Sequence, residues 1–321
     1  AIKNPAAQVS KAVKALNSNY RIALTGTPME NKLLDLWSIM DFLNKGIFGD
    51  ADSFQDLYTV SPIALKKKLQ LLMIRRNKSK VAAELPERIV EIMPIELGEE
   101  QREAYDLTLL RTREKMQEFG AMQILAGLTR LRQICCDPSL YLKSANTIES
   151  TKLEILLEKL SELLDAGHSV LVFSQFTQML AIIAERLNNL ELPYWKITGE
   201  TALQKRTEAV KEFNSSNEAA VFLLSLKAAG TGLTLTKADY VFLYDPWWNP
   251  AVENQAIDRT HRIGQDKTVV AYRMMAKNTV EERVIKLMQE KEKLFNEIVG
   301  ESEETVASKK LTREELLNLL V

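Results

Sequence analysis

The apolar positions of this chain fall into two regimes that change near residue 150. Before it they recur mostly at helical spacing: Leu33, Leu36, Trp37 and Met40, then Phe54, Leu57 and Tyr58, then Leu65, Leu69 and Leu72. A short run, Tyr20-Arg-Ile-Ala-Leu24, precedes them and predicts a strand breaking into the turn Thr25-Gly-Thr-Pro28, where Gly26 and Pro28 stop any continuation. After a break at Leu85-Pro86, Ile89 to Ile95 alternates as a strand does, and residues 99–134 return to helical spacing before Asp137-Pro138 closes them.

Beyond residue 150, short and almost wholly apolar runs alternate with amphipathic stretches. Thr151-Lys-Leu-Glu154 reads as a capping box, opening a helix whose apolar face (Leu153, Leu156, Leu157, Leu160, Leu163, Leu164) ends at Gly167. Strands are predicted from Val170 to Phe173, Tyr194 to Ile197, Val221 to Leu226, Tyr240 to Tyr244 and Val269 to Arg273. Helices are predicted at about 177–188, 202–213 and 251–262. Thr279-Val-Glu-Glu282 caps a long helix to about Val299, and Thr312 with Glu315 caps a short one after a linker at 300–310. Strands without polar alternation are buried on both faces, so the expected fold class is α/β, a parallel sheet with helices on both sides. Functional residues are then expected in loops at the carboxyl ends of the strands.

Composition narrows the picture. With 321 residues, 46% of them apolar, the chain is long enough for about two domains. No run approaches the ~20 apolar residues of a membrane span, and the amino terminus lacks the order of a signal peptide. The only cysteines, Cys135 and Cys136, are adjacent. They suit neither a staple nor a zinc site, which predicts a reducing compartment and no structural metal. A net charge of −1 argues nothing about nucleic acid by itself, but seven basic residues and no acidic one lie from Lys66 to Lys80. That run is either a solvated helix face or a local basic surface.

Candidate chemistry concentrates late in the chain. Gln255, Arg259 and Arg262 stand at i, i+4 and i+7, so on the predicted helix they share a face. Two planar, always-charged guanidinium groups suit a polyanion, because arginine binds phosphate oxygens bidentately. A solvated face paired with Glu253 and Asp258 fits the same spacing. Gly230-Thr-Gly232 follows a predicted strand, where glycines admit a phosphate to the backbone or simply make a turn. Lys205 and Arg206 are either a sugar-phosphate clamp or a solvated pair. Trp247 and Trp248, between Pro246 and Pro250, offer a base-stacking platform or packing that stiffens the turn. His261 reads as structural.

Five blocks occur in one order: Thr25-Gly-Thr-Pro-Met-Glu-Asn31, Leu171-Val-Phe-Ser-Gln-Phe-Thr177, Leu224-Ser-Leu-Lys-Ala-Ala-Gly-Thr-Gly-Leu233, Asp245-Pro-Trp-Trp-Asn-Pro250 and Asp258-Arg-Thr-His-Arg-Ile-Gly-Gln265. The ordered set resembles helicase motifs III to VI of the Swi2/Snf2 (Rad54-like) ATPases of superfamily 2, over nearly the whole chain. That resemblance implies a RecA-like second lobe with helical protrusions, the motor half of a DNA-dependent ATPase that tracks along double-stranded DNA in remodelling or recombination.

By the same resemblance Arg259 and Arg262 are the catalytic arginine fingers. Gly230, Gly232, Gln255 and Gln265 serve nucleotide binding. Ser174, Gln175, Lys205, Arg206 and Thr231 contact the DNA backbone. Thr25, Gly26 and Thr27 couple the two activities, and Leu72-Met-Ile-Arg-Arg76 resembles the arginine pair before the second lobe.

The implied organisation is a tail end of the first RecA-like lobe at 1–30, a helical protrusion and linker at 31–88, a strand and second protrusion at 89–145, the second lobe at 146–299, and a linker with closing helix at 300–321. No phosphate loop of the Gly-x-x-x-x-Gly-Lys-Ser/Thr kind and no magnesium-holding Asp-Glu pair occurs. ATP with Mg²⁺ is therefore expected to be held mainly by the missing first lobe, one implied partner beside duplex DNA and a DNA-bound target protein. Ile2-Lys-Asn-Pro5 resembles the segment just past the family's Asp-Glu box, so the chain is expected to be a fragment, inactive alone. No membrane partner is expected, and the compact protrusions suggest a prokaryotic cytoplasm, or the nucleus of a eukaryote. The competing readings are a non-catalytic module that docks DNA or protein, and a lobe of an RNA helicase.

Overall fold

The computed structural model describes residues 2–25, 33–74, 84–114, 120–142, 148–229, 232–248, 250–287, 289 and 317–320. The chain divides into two compact units, one of Ala1–Val81, Asn249–Ala251 and Leu287–Leu311, the other of Ala82–Trp248, Val252–Lys286 and Thr312–Val321.

The first unit is helical: α1 (Gln8–Ala15), α2 (Leu33–Leu43), α3 (Ala51–Val60) and α4 (Pro62–Leu72). The apolar positions at helical spacing meet as expected. Leu36, Met40, Phe48, Phe54 and Leu65 form a core, with Phe48 and Phe54 edge-on at 5.3 Å. Asp50 caps α3 by accepting from the Ser53 amide at 2.8 Å. The strand predicted at Tyr20 to Leu24 does not form; Tyr20, Ile22 and Leu24 are extended and 89%, 80% and 94% exposed. A strand needs a neighbour for its amides and carbonyls, and the described residues of this unit contain no other strand.

The second unit is built on six parallel strands: β1 (Arg88–Ile95), β2 (Val170–Ser174), β3 (Tyr194–Ile197), β4 (Val221–Ser225), β5 (Tyr240–Leu243) and β6 (Val269–Ala276), in the order β1-β6-β5-β2-β4-β3. The strand expected from residue 89 is thus an edge of this same sheet, paired with β6 along its whole length. The helices are α5 (Glu99–Glu114), α6 (Ala121–Cys136), α7 (Thr151–Asp165), α8 (Thr177–Asn189), α9 (Leu203–Ser215), the short α10 (Leu226–Ala229) and α11 (Pro250–Ile257), with a further helical run at 280–287.

Strand side chains alternate between two cores, as parallel strands covered on both faces require. Val170, Val172, Val221 and Leu223 meet the leucine face of α7 and Leu180 and Ile183 of α8. Leu171, Phe173, Phe222 and Leu224 meet Phe213 of α9 and Ala256 and Ile257 of α11. Each fully buried leucine or phenylalanine here contributes on the order of 1.5–3 kcal/mol from water exclusion alone.

Three expectations shift. The cap of α7 is Ser150, one residue early, whose hydroxyl accepts from the Leu153 amide at 3.3 Å, while Thr151 accepts from Gly98 at 2.9 Å. The helical stretch predicted at 99–134 is a pair, α5 and α6. They approach so closely that a Cβ on Gly127 would lie 2.7 Å from Thr112 Cγ2. The helix predicted at 251–262 ends at Ile257. The cap at Thr279 is found: its hydroxyl accepts from the Glu281 amide at 3.1 Å, and Glu282 accepts from the Asn278 amide at 2.8 Å. Arg75 and Arg76, the linker at 300–310 and the cap at Thr312 lie outside the described residues. Among the described residues no helix is long and apolar enough to cross a membrane.

Candidate functional site

Because α11 stops at Ile257, Arg259 and Arg262 lie in turns rather than on a helix, and the face they were expected to share with Gln255 does not exist. Successive tightening ends the helix: the Arg259 amide bonds Ala256 and the Thr260 amide bonds Ile257, each three residues back, and Gly264 takes a φ of +98°. Anchors on three elements hold the turn. Leu235 donates its amide to the Arg259 carbonyl at 2.9 Å, His261 Nε2 pairs with the Pro86 carbonyl at 2.8 Å, and Arg88 at the head of β1 reaches Asn254 at 2.5 Å and Asp258 at 3.5 Å.

Gln265 closes it. Its amide nitrogen is within hydrogen-bond reach of the carbonyls of Ala238, Thr236 and Thr260 at 2.8, 3.1 and 3.3 Å, and its side-chain oxygen accepts from the Lys267 amide at 3.0 Å. At 6% exposed and fully engaged, Gln265 positions the turn and has no group left for a nucleotide.

The two arginines are held by different partners. Arg259 is 7% exposed, donates Nε to the Gln255 carbonyl at 3.0 Å, and keeps a buried Nη1 with no partner among the described residues. Burial, then the positive charge of Arg262, lowers its pKa, with Asp258 opposing. Arg262 is steadied by Nη1 donating to Thr234 Oγ1 at 3.1 Å.

Its neighbours Pro86, Ala238 and Arg88 all stand where β1 and β5 begin, so this cluster occupies the amino edge of the sheet. The carboxyl-end rule that predicted its location fails for it.

Ser174 and Gln175 at the end of β2, and Lys205 and Arg206 after β3, do lie toward the carboxyl edge. Ser174 ends β2 with no exposed surface, its hydroxyl bonded to Asp245, and the Gln175 amide donates to the same carboxylate at 3.1 and 3.2 Å. The expected DNA contact by the Ser174 side chain is therefore corrected: it is spent inside the protein. Burial raises the Asp245 pKa, with Arg132, Ser174 and Gln175 pulling the other way. Arg206 turns inward to the carbonyls of Thr201, Gly199 and Thr198 at 2.7, 2.9 and 3.1 Å, bracing the loop after β3, while Lys205 remains exposed.

Trp247 packs on the core and donates its amide to Glu253 at 2.7 Å, and the ring of Trp248 lies under Arg132 at 5.1 Å, so both stiffen the turn. Gly232 is exposed with φ +75°, and Thr25 is exposed coil. Gly26, Thr27, Gly230 and Thr231 lie outside the described residues. Arg132 was not singled out from the sequence, while Asp245 entered only within its motif block and Glu253 only as a partner of the arginines. Arg132 was findable as a charge set within the apolar run Leu128, Leu131, Ile134 and Cys135. Among the described residues no group of three or more His, Cys, Asp or Glu side chains is placed to hold a metal.

The family model "SNF2-related domain" matches residues 1–140 and "Helicase conserved C-terminal domain" matches residues 151–264. The chain is 38% identical over 330 aligned residues to the uncharacterized ATP-dependent helicase MG018 of Mycoplasma genitalium, covering 99% of this chain and 31% of that protein. It is 39% identical to the putative ATP-dependent helicase/translocase YwqA of Bacillus subtilis, covering 93% and 34%. The chain thus spans about a third of the length of the curated relatives it matches. Among solved structures, the Sulfolobus solfataricus SWI2/SNF2 ATPase core in complex with dsDNA is 32% identical with a TM-score of 0.59, covering 99% of this chain and 70% of that one.

Proposed function

This chain belongs to the Swi2/Snf2 family of helicase-like ATPases, and from that premise we propose that it is the second motor lobe of a DNA-dependent ATPase that translocates on double-stranded DNA. The observation that carries the reading is Arg259: a buried guanidinium whose Nη1 has no partner among the described residues, and whose pKa is lowered by burial and then by the charge of Arg262, at one edge of a RecA-like sheet. In phosphoryl transfer the protein acts mainly by positioning and by neutralising charge on the transferring oxygens. Arg259 and Arg262 do this from across a cleft, reaching the terminal phosphate of ATP whose magnesium is held by the first lobe. A supplied finger of this kind is worth about 10³–10⁵ in turnover.

Gln255, one turn before Arg259, belongs to the nucleotide side with Gly230 and Gly232, and Gln265 holds the turn in place. At the opposite edge Gln175 and exposed Lys205 meet the DNA backbone, a role that Thr231 shares. Arg206 serves there by bracing the loop, and Ser174 by fixing Asp245. Thr25 to Thr27 couple the two edges. The domain limits proposed are those of the motif series, with 1–30 closing the first lobe and 146–299 forming the second, to which the strand from residue 89 adds an edge.

The test is the ATPase of the longer protein that carries a phosphate loop, assayed with duplex DNA, single-stranded DNA and RNA. Stimulation strongest with duplex DNA is expected. Equal stimulation by RNA favours the RNA-helicase reading, and no stimulation by any of them favours the non-catalytic module.

A further inference from the structure

Arg132 belongs to the hairpin of α5 and α6, yet its guanidinium works elsewhere. It is 2% exposed and is the largest of the fully buried side chains among the described residues. Nη1 donates to Gln175 Oε1 at 3.1 Å, and Nη2 donates to the Pro246 carbonyl and lies 3.9 Å from Asp245 Oδ2. Its plane stands between the rings of Phe176 at 5.9 Å and Trp248 at 5.1 Å. One side chain thereby binds the ends of β2 and β5 and the turn that leaves β5.

We infer that Arg132 is a positioning residue, a two-pronged clamp that locks the Asp245 to Trp248 turn onto the α5–α6 hairpin and so sets the entry into α11. Stability does not explain it. Buried ion pairs at such separation do little better than an apolar replacement. Arg132 Nε and Gln175 Nε2 have no acceptor among the described residues, and a buried donor left unmet costs stability. What only arginine supplies is a rigid fork that fixes two acceptors at once.

The clamped turn continues directly into the finger segment. The Trp247 amide bonds Glu253 of α11 at 2.7 Å, Glu253 is held by Arg273 of β6 at 2.7 Å, and α11 ends at Ile257, two residues before Arg259. A turn released from Arg132 shifts Glu253 and with it the arginines, and misplacement of about 1 Å can cost ~100-fold in rate.

The consequence for turnover rests on the motor reading above; the clamp itself does not. The experiment uses the longer protein carrying the ATP-binding lobe, with Arg132→Lys, which keeps charge and stem but loses the fork, and Arg132→Met as a second variant. For Lys we expect an unfolding midpoint close to the parent's, iodide quenching of Trp248 raised about twofold (read by difference against Trp248→Phe), duplex-stimulated kcat lowered ~10-fold or more, and KM for ATP unchanged. Rescue of stability by Lys without rescue of kcat is the signature of positioning.

Quenching equal to the parent's in both variants overturns the clamp. Raised quenching with parental kcat, or kcat lost only in step with unfolding, overturns the coupling. If the unsubstituted protein shows no duplex-stimulated turnover, the motor reading fails. The clamp then stands or falls on Trp248 alone.

Discussion

Lys152 Nζ lies 2.6 Å from Glu281 Oε2, and neither side chain has any exposed surface. The ammonium also reaches the carbonyls of Tyr244 and Met274 at 3.2 and 3.5 Å, and Glu281 accepts from the Ala276 amide at 2.9 Å. The pair therefore ties the start of α7 to the ends of β5 and β6. Removing one partner strands a buried charge, so Lys152→Met is expected to cost about 3–5 kcal/mol in urea unfolding, and Lys152→Met with Glu281→Met to recover most of it. A double variant no better than the single one would show that the charge pairing is not what matters.

The same pair has a defined pH behaviour. Burial pulls the Lys152 pKa down, but Glu281 and the neighbouring thiols outweigh it, and the net shift is upward. A lysine with a raised folded pKa contributes stability that is complete below its unfolded value, about 10.4, and is lost as pH climbs through the folded one. The difference in stability between the parent and the double variant should therefore stay level across neutral pH and shrink only in strong alkali. A difference that shrinks already near neutrality contradicts the pairing.

Gln265 gives a prediction about the turn. Gln265→Ala removes the donor from a site lined by three carbonyls, at an expected cost of about 1–3 kcal/mol in chemical denaturation. In the longer protein kcat should fall more than KM for ATP rises, because the residue holds Arg259 and Arg262 without touching substrate. Parental kinetics in a destabilised variant would separate the turn from catalysis.

Much of this architecture was legible in the chain. Apolar runs such as Val170 to Phe173 and Val221 to Leu224 have no polar alternation because both their faces are covered, and the leucine face of α7 has a single solution. Less legible were features decided by partners distant in sequence. Tyr20 to Leu24 has the composition of a strand but no neighbour among the described residues. The end of α11 is set by tertiary anchors such as Leu235, His261 and Gln265, which periodicity does not report. Ser174 carries a hydroxyl at a strand end, as a ligand contact would, and only the fold reveals that Asp245 has taken it. Spacing on a helix was therefore the wrong reason to pair Arg259 with Arg262. Both lie in the turns that follow α11.

A separate expectation concerns the 321 residues by themselves. Half an ATP site without a phosphate loop should hydrolyse no measurable ATP, with or without duplex DNA. Clear magnesium-dependent turnover by this chain alone would remove the reason for placing the ATP in a cleft it only half supplies.

The central claim is that Arg259 acts on the phosphoryl group in the transition state, and it is tested most directly by Arg259→Ala in the longer protein, with ATP binding and duplex-stimulated turnover measured on the same preparation. ATP affinity near the parent's with turnover reduced by ~10³-fold or more is the predicted result. Turnover within about tenfold of the parent's, or loss of ATP binding in proportion to the loss of rate, contradicts it.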